Sequence, residues 1–445
     1  MLRKRALVIV FAVVFAIMFA ACGNGGGSTG GSTGGGSTGG GSTGGGGGAP
    51  AGNAPASIKI GIPNPFTGPL QAFGLGTPWA EQLVETAVND GGGIYIEDYD
   101  TNIPIECVFV DTESDATKAG EVTQQLITND GVSVLIARHT PGTALPVSAM
   151  AENMHVPFVS LECPINPWLA GGPYEWGYHS FWTVEEMCAL YMDMWEELGY
   201  GEGTIVGGIF PNDPDGLAWK PVFEKMLPER GFVLHAELTE MMQGSWTNVI
   251  NRFKQEKVQI LTGVPINPDL ASFLAESVAT GFDFEFCTIG RAILFPSDCE
   301  AMPKELIPRL SNEIWWSPWH QWTSSIDGMT CAELAAAYEA EFNIPWSAPM
   351  GYKYAGMEIA VDALRRAASL DPVKIRDAIG ATDLDTFIGH IKYDPETHVA
   401  HTKFVGGQWR VAGERPDGSP IAEIDCVFNK TDPTVPLNGK LHLPD

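Results

Sequence analysis

The sequence has few basic residues, and this shortage argues against several kinds of partner. It contains 26 lysines and arginines against 54 aspartates and glutamates, a formal net charge of −28 at pH 7. Such a surface repels nucleic acid and anionic lipid, so we predict no nucleic-acid partner. The net charge does not make the ligand a cation, because a local pocket can oppose the overall sign.

Cysteine is also scarce, and its spacing excludes two structural classes. Seven cysteines follow Cys22, and no two are spaced C-x-x-C. This pattern is neither a zinc motif nor a dense disulfide framework, and because seven is an odd number at least one thiol is free. A disulfide between Cys287 and Cys299 is possible, although most thiols should be buried as small apolar residues. No metal site is predicted, because His398 and His401 lack an accompanying cysteine or carboxylate motif.

Catalytic signatures are missing as well. The sequence shows no credible nucleophile triad, metal motif or phosphate-binding loop. Paired carboxylates do occur, as expected by chance among 54 acids. We therefore predict no catalytic residue, no cofactor and no enzyme activity.

The start of the chain indicates where the protein works. Three cations at positions 3–5 precede an uncharged run over 6–21, and Ala20-Ala21-Cys22 resembles the bacterial lipobox. This resemblance implies that residues 1–21 are a lipoprotein signal peptide and that Cys22 is acylated on the outer face of a bacterial membrane. A transmembrane helix is the alternative, but 16 residues fall short of the ~20 that span a bilayer.

The segment 22–56 predicts a flexible tether. It is almost wholly glycine, serine, threonine, alanine, proline and asparagine, a composition that cannot bury enough apolar surface to fold. The remaining chain, 57–445, is long enough for two domains with their own cores, and it has no later apolar run of membrane-spanning length.

Predicted strands and helices alternate after the tether. Apolar runs such as 58–62 and 105–111 read as strands, and helix-start signals such as Asp115 and Asp371 separate them. The alternation restarts after Trp182 with a second unit of similar size. This pattern predicts α/β units with parallel sheets and helices on both faces, which bind ligands beyond the carboxyl ends of the strands.

Several short motifs follow one another in a distinctive order. They are Ile58-Lys59-Ile60-Gly61-Ile62, Thr67-Gly68-Pro69, Phe73-Gly74, Asn89-Asp90-Gly91-Gly92-Gly93-Ile94, Val110-Asp111-Thr112, Ile127-Thr128-Asn129-Asp130-Gly131-Val132, Val156-Pro157-Phe158-Val159-Ser160, Asp215-Gly216 and Ile388-Gly389-His390-Ile391-Lys392-Tyr393-Asp394. Together they resemble the type I periplasmic binding proteins of the branched-chain amino acid and amide class, the solute receptors of ABC importers. The resemblance covers 58–410.

This resemblance implies a monomer with two Rossmann-like lobes joined by three crossovers. The first lobe is expected to contain 57–181 and 319–388, and the second 182–318 and 389–445. The lobes would close on a small ligand by hinge motion, and a membrane permease would read the closed form.

The resemblance also implies site residues in the first lobe. A hydroxyl-bearing loop that binds the ligand carboxylate corresponds to Thr140, Gly142 and Thr143, just before a helix N-terminus that favours an anion. Thr143 could instead only cap that helix. Phe73 matches the aromatic residue that covers the ligand, or it is simply a core residue.

The chain departs from the family pattern after the fourth strand. The small residues and threonine that meet the ligand's amino group are replaced by Glu162-Cys163-Pro164-Ile165. A ligand contact through Cys163 and Pro164 is therefore altered, which argues against an ordinary α-amino acid.

Four further candidates follow in the later segments. Asp215 could bind an ammonium or hydroxyl group, or belong to a helix-capping turn. Arg291 lies where the family has an acid, and it would favour a second carboxylate on the ligand unless it pairs with the abundant surface acids. Pro265 stands where the family has an aromatic residue, and Tyr354 heads a helix that could face the cleft.

The tryptophan-rich run 315–322 leaves two structures open. Its four tryptophans could line an aromatic cleft or stack sugars, or they could pack a hinge against both lobes.

Three functions are compatible with the sequence. The first is a lipid-anchored solute-binding protein that delivers an amino acid, amide or small carboxylate to an ABC permease. The second is a ligand-sensing receptor with a separate signalling partner. The third is a surface enzyme or a sugar-binding module that uses the tryptophans.

Overall fold

Two sheets organise residues 53–444, the part of the chain that the computed structural model describes. The predicted signal peptide, Cys22 and positions 23–52 of the predicted tether lie outside these residues. The strands are β1 (Ile58–Asn64), β2 (Ile94–Ile96), β3 (Thr101–Ile103), β4 (Ile105–Asp111), β5 (Val134–Ala137), β6 (Phe158–Leu161), β7 (Gly177–Phe181), β8 (Ile205–Pro211), β9 (Val233–Thr239), β10 (Ile260–Gly263), β11 (Phe286–Ile289), β12 (Leu310–Ile314), β13 (Asp383–Thr386), β14 (Gly389–Lys392), β15 (Val399–His401), β16 (Val405–Glu414) and β17 (Pro420–Phe428).

Helices occupy most of the segments between the strands. They are α1 (Gln71–Gly74), α2 (Thr77–Asp90), α3 (Ala116–Gln125), α4 (Pro141–Asn153), α5 (Ile165–Gly171), α6 (Val184–Glu197), α7 (Pro214–Glu229), α8 (Thr247–Glu256), α9 (Asn267–Thr280), α10 (Pro296–Glu300), α11 (Cys331–Phe342), α12 (Met350–Ala367) and α13 (Pro372–Gly380). None of the helices within 53–444 has both the length and the apolar character needed to span a membrane.

Each large sheet forms the centre of one lobe. The first has the order β15-β7-β6-β5-β1-β4 and is parallel throughout, and the second has the order β17-β16-β12-β11-β10-β8-β9 with an antiparallel pair at one edge. Strands such as β5 are buried along their whole length, because helices cover both faces of a parallel sheet. This architecture confirms the predicted α/β fold with two parallel-sheet lobes.

Local signals in the sequence set several helix starts. Asp115 accepts a hydrogen bond from the Lys118 amide at 2.8 Å and so caps α3. The Asp371 carboxylate caps α13 in the same way. A capping box of Thr183 and Glu186 begins α6, directly after the chain leaves the first sheet.

The return of the chain to the second lobe differs from the prediction. We expected that lobe to resume at Gly389. Instead β14 pairs with β13 in a hairpin, and β15 then adds to the first sheet beside β7. The last crossover therefore follows His401, because a strand of three residues completes the first sheet before the chain leaves it.

All seven cysteines of the described residues are unpaired, and Cys107 alone among them is partly exposed. Cys287 and Cys299 are both buried and form no disulfide. The cysteines therefore pack as small apolar side chains, as expected from their spacing.

A close contact inside the first lobe gives a test of the core. A Cβ on Gly351 would lie 2.2 Å from Cδ1 of the buried Trp316 ring. We expect Gly351→Ala to lower the free energy of unfolding by about 1–3 kcal/mol, because a rigid indole cannot yield. Gly120→Ala is the matched control. A Cβ there meets nothing within 4 Å, so alanine should stabilise helix α3 by about 0.5–1 kcal/mol. Equal changes in urea midpoint for the two variants would contradict the tight contact.

Candidate functional site

A small cavity lined by buried residues lies between the two lobes, at the carboxyl ends of their parallel strands. Its volume is about 30 Å³, room for about two water molecules. A second cavity of about 160 Å³ shares Phe73 and Arg291 with it. A ligand the size of an amino acid therefore fits between the lobes only if they stand further apart than they do here.

The lining comes from three sources. The first lobe contributes Phe73, Thr140, Pro141, Glu162 and Pro164. The second lobe contributes Asp215, Trp219, Val264, Arg291, Leu294 and Glu313. The connections between the lobes contribute Phe181, Trp182 and Trp315.

Strained backbone sets the direction of three polar side chains at this site. His139, Glu162 and Arg291 follow β5, β6 and β11, and their φ angles are +82°, +57° and +62°. This left-handed region is costly for residues with a Cβ, and such strain concentrates at functional sites. The turn after each strand end brings these residues to the space between the lobes.

Glu162 is the charged group of the first-lobe wall. Its Oε2 lies 3.1 Å from Nδ1 of His139, whose Nε2 lies 3.0 Å from Oδ1 of Asn64. Its Oε1 is buried and has no hydrogen-bond partner among the described residues. Burial opposes ionisation, but Lys353, His139 and Arg138 outweigh it and hold the pKa of Glu162 below its ordinary value. Glu162 is therefore a buried carboxylate with one unused acceptor.

Buried charges behind this wall support Glu162. The ammonium of Lys353 donates to the carbonyl of Phe73 and, at 3.1 Å, to the Thr77 hydroxyl. Arg138 and Glu81 form an ion pair in which both side chains are fully buried. These contacts join α12 and α2 to the loops that carry the lining residues, so the wall is fixed by charge as well as by packing.

A buried ion cluster forms the second-lobe wall. Nη1 of Arg291 donates to Asp213 at 2.7 Å and to Asp215 at 2.8 Å, while its Nη2 has no partner among the described residues. Asp213 also accepts from the Gly216 amide at 2.9 Å and caps α7. Burial raises the pKa of Asp215 to about 7, although Arg291 opposes that shift. The one arginine is thus shared by two acids of the protein.

Glu313 adds a further acid at the end of β12. The Tyr191 hydroxyl donates to its Oε2 at 2.5 Å, and Nε1 of Trp315 donates to its Oε1 at 3.3 Å. Burial raises the pKa of Glu313 to about 7 in spite of these bonds. Near neutral pH this carboxyl is therefore divided between its two protonation states.

Aromatic rings complete the enclosure. Phe73 meets Phe295 of the other lobe edge to face, with ring centroids 5.2 Å apart. Trp182 packs between Trp219 and Trp315, with centroids 5.9 and 6.1 Å away. The indole N–H groups of Trp182 and Trp219 are buried without a partner among residues 53–444. The walls thus combine aromatic faces with unused hydrogen-bond donors.

The structure brings half of the predicted site residues together. Five of them line the cavity: Phe73, Thr140, Pro164, Asp215 and Arg291. Of the two alternatives for Arg291, the structure shows pairing with acids of the protein, but the partners are Asp213 and the buried Asp215 and not exposed surface acids.

The other predicted residues lie beside or behind the cavity. Gly142 follows Pro141 in the first turn of α4 and is not among the lining residues. The Thr143 hydroxyl donates to the carbonyls of Arg138 and Thr140, so it serves the backbone. Cys163 is fully buried, and its thiol faces the Pro164 carbonyl.

Two later candidates also lie off the lining. The Pro265 carbonyl accepts from Nε of Arg291 at 3.4 Å, so its contact with the site is indirect. Tyr354 packs on Phe387 and accepts from the Ser324 hydroxyl at 3.1 Å, which turns it away from the cleft.

Sequence reasoning missed the acids Glu162 and Glu313 and the aromatic residues Trp182 and Trp219 as lining residues. The sequence carried a signal for Glu162, because this residue directly follows a buried apolar strand, at a position where the family has a small residue. Each of the two structures predicted for the tryptophan run applies to part of it. Trp315 lines the cavity, whereas Trp316 is buried against Trp346 and Phe387.

The buried titrating groups predict how stability depends on pH. The pKa values of Asp215, Glu313 and Glu358 are raised to about 7 by burial. The folded state holds these protons more tightly than the unfolded chain, so this stabilisation is lost as the pH rises through about 7. Burial lowers the pKa values of His139 and His320 to about 4, so their contribution is lost as the pH falls from about 6.5 through 4.

The carboxyls and the histidines oppose each other between about pH 4 and 6.5, and the histidine contribution is complete above about pH 6.5. We therefore expect stability to decrease as the pH rises from about 6.5 to 7.5. Urea denaturation from pH 4 to 9 would measure this profile. Glu313→Gln should make this decrease smaller, because glutamine does not titrate. A stability that climbs steadily to pH 8 would contradict the burial of these carboxyls.

Two parallel-sheet lobes that meet over a buried cavity define the type I periplasmic binding fold. Residues 57–415 match the periplasmic binding protein family, and the chain belongs to that family.

Solved structures show the same fold at low identity. The leucine binding protein LivK of Thermotoga maritima is 18% identical, with a TM-score of 0.70 over 84% of this chain and 99% of that one. LivJ of Streptococcus pneumoniae, solved in complex with isoleucine, is 17% identical, with a TM-score of 0.67 over 83% and 99%. A solute binding protein of Rhodopseudomonas palustris, in complex with 3,4-dihydroxybenzoic acid, is 17% identical, with a TM-score of 0.61 over 82% and 95%.

Proposed function

We propose that this protein is an extracytoplasmic solute-binding protein of an ABC importer, anchored by a lipid on Cys22. It captures a small polar ligand between its lobes and delivers that ligand to the permease as a monomer. The ligand belongs to the amino acids, amides or small carboxylates. The protein performs no chemistry on it.

One observation carries this proposal: the cavity between the lobes contains buried polar groups that the protein leaves unpaired. Oε1 of Glu162, Nη2 of Arg291 and the indole nitrogens of Trp182 and Trp219 have no partner among residues 53–444. A buried polar group without a partner costs about 1–3 kcal/mol. A polar ligand that supplies the missing partners would recover this energy only when the lobes close, which couples binding to closure.

The connections between the lobes suit a hinge. Phe181, Trp182 and Trp315 lie where the chain passes from one sheet to the other, and they also line the cavity. A rotation that separates the lobes would remove these rings from the ligand and break the contact between Phe73 and Phe295. Opening would therefore release the ligand to a partner that stabilises the open form.

The test of binding is the melting temperature of the purified chain against amino acids, amides, aromatic acids, dicarboxylates and sugars. A ligand at 100 times its Kd should stabilise the protein by about 2.7 kcal/mol, a shift of a few degrees. A shift with a member of the first four classes supports the proposal. A shift with sugars alone favours a sugar-binding module, and no shift across the panel contradicts solute binding.

The anchor needs a separate test. Mass spectrometry of the mature chain from bacterial membranes should find two or more acyl chains on Cys22, enough for stable anchoring. Cys22→Ser should release the protein from the membrane fraction. An unmodified Cys22 in membrane-bound protein would contradict lipidation.

A further inference from the structure

We infer that the ligand is a small organic cation with at least one N–H donor, whose nitrogen binds Oε1 of Glu162 against the tryptophan rings. This inference rests on the proposed solute-binding function and narrows its ligand class. The ligand carries more positive than negative charge.

The charges of the lining favour a cation. Three carboxyl side chains, Glu162, Asp215 and Glu313, face the cavity, against the single cation Arg291. Arg291 is already shared by Asp215 and Asp213. An anion would therefore meet like charge in a confined space of low dielectric, whereas a cation would balance it.

Glu162 specifies a donor on that cation. The contact with His139 occupies Oε2, and Oε1 is left buried and unpaired. Lys353 and Arg138 are held within the first lobe, behind the wall, by the Phe73 carbonyl and by Glu81. An N–H of the ligand would satisfy this acceptor with a charge-assisted hydrogen bond, which a quaternary ammonium cannot form.

The aromatic walls suit the same group. Trp182, Trp219 and Trp315 line the cavity together with Phe73 and Phe181. The faces of aromatic rings attract cations, tryptophan most strongly. A protonated amine beside Glu162 would therefore be held by a carboxylate and by ring faces at once.

Binding of a cation should also change the number of protons that the protein holds. Asp215 and Glu313 have pKa values raised to about 7 by burial, so both are partly protonated at neutral pH. A cation that enters beside them favours their ionised forms, and protons are released to the buffer. An anion would instead cause proton uptake. Once the protons exchanged by the ligand's own amine are subtracted, the sign of the proton exchange reports the charge of the ligand.

The experiment compares matched probes by titration calorimetry on the full chain at pH 7. Alanine, leucine and phenylalanine supply three skeletons, each as the zwitterionic amino acid, the cationic amino acid amide and the anionic acid that lacks the amino group. We expect the amides to bind best, at least about tenfold more tightly than the matched amino acids. Titration in two buffers of different ionisation enthalpy should show proton release.

Two variants test where the nitrogen of the ligand binds. Glu162→Gln keeps the size of the side chain, removes its charge and should weaken amide binding at least about tenfold. Glu121→Gln is the control, because Glu121 lies exposed on α3 of the same lobe. The probe comparison on the unaltered protein stands even if Glu162→Gln folds poorly.

Each of the other outcomes overturns the inference. Tightest binding by the amino acids or the anionic acids would overturn the inference and would leave the solute-binding function intact. Proton uptake on binding would have the same consequence. Unchanged amide affinity in a folded Glu162→Gln protein removes the role of Glu162. If none of the nine probes binds, the inference fails, and the wider melting panel then decides the proposed function independently.

Discussion

Arg138→Met is expected to lower the free energy of unfolding by about 3–5 kcal/mol, because it leaves the carboxylate of Glu81 buried without its partner. Both side chains of this ion pair have no exposed surface. Nε and Nη1 of Arg138 have no further hydrogen bond among the described residues. The pair therefore depends on a single contact, and denaturation in guanidinium chloride measures its loss.

A matched surface pair separates burial from charge. Arg366 pairs with Asp362 one turn away, and its side chain is 34% exposed. Arg366→Met should cost less than about 0.5 kcal/mol. The double variant Arg138→Met/Glu81→Leu should recover most of the stability lost by the single change, because no charge then stays buried alone. If replacement of Arg138 and of Arg366 lowered the free energy of unfolding by similar amounts, burial of the ion pair would not set the cost of losing it.

Arg291→Met is expected to have an effect of similar size and to impair binding as well. The change leaves Asp213 and Asp215 facing each other in a buried wall without a cation, which should cost about 3–5 kcal/mol at pH 8. The pKa of Asp215 is already raised to about 7, and the loss of Arg291 raises it further. The cost should therefore shrink at pH 6, where Asp215 takes up a proton.

An exposed arginine with the same number of partners is the control. Arg410 contacts Glu423 and Asp425, with 46% of its side chain exposed. Arg410→Met should change stability by less than about 1 kcal/mol and should leave ligand binding intact. The prediction for Arg291 fails if its replacement costs no more than that of Arg410, or if its cost is the same at pH 6 and pH 8.

Most of the fold was predictable from local signals. Buried parallel strands such as β5 read as uninterrupted apolar runs, and Asp115 and Asp371 marked the starts of α3 and α13. The short strands were not predictable, because three residues carry no period. The pairing of β15 with β7 depends on the whole lobe, and no signal near Val399 announces it.

The site was less predictable than the fold. The family resemblance placed Thr140 and Phe73 in the site, and the structure puts both in the lining. The pairing of Arg291 with Asp213 and Asp215 joins residues more than 70 positions apart, so spacing could not reveal it. Glu313 sits inside a strand whose burial on both faces is visible only in three dimensions.

The late arrival of β15 in the first sheet constrains how the protein folds. The sheet begins with β1 at Ile58 but is completed at His401, after the whole parallel part of the second sheet has been made. Until β15 pairs with β7, therefore, the first lobe has an open sheet edge, whereas the parallel strands of the second lobe need no later segment of the chain. Contacts across such sequence separations form slowly, and unpaired edges invite association with other chains. An incompletely folded chain is thus most open to association with other chains at the edge of β7, which β15 covers in the finished fold.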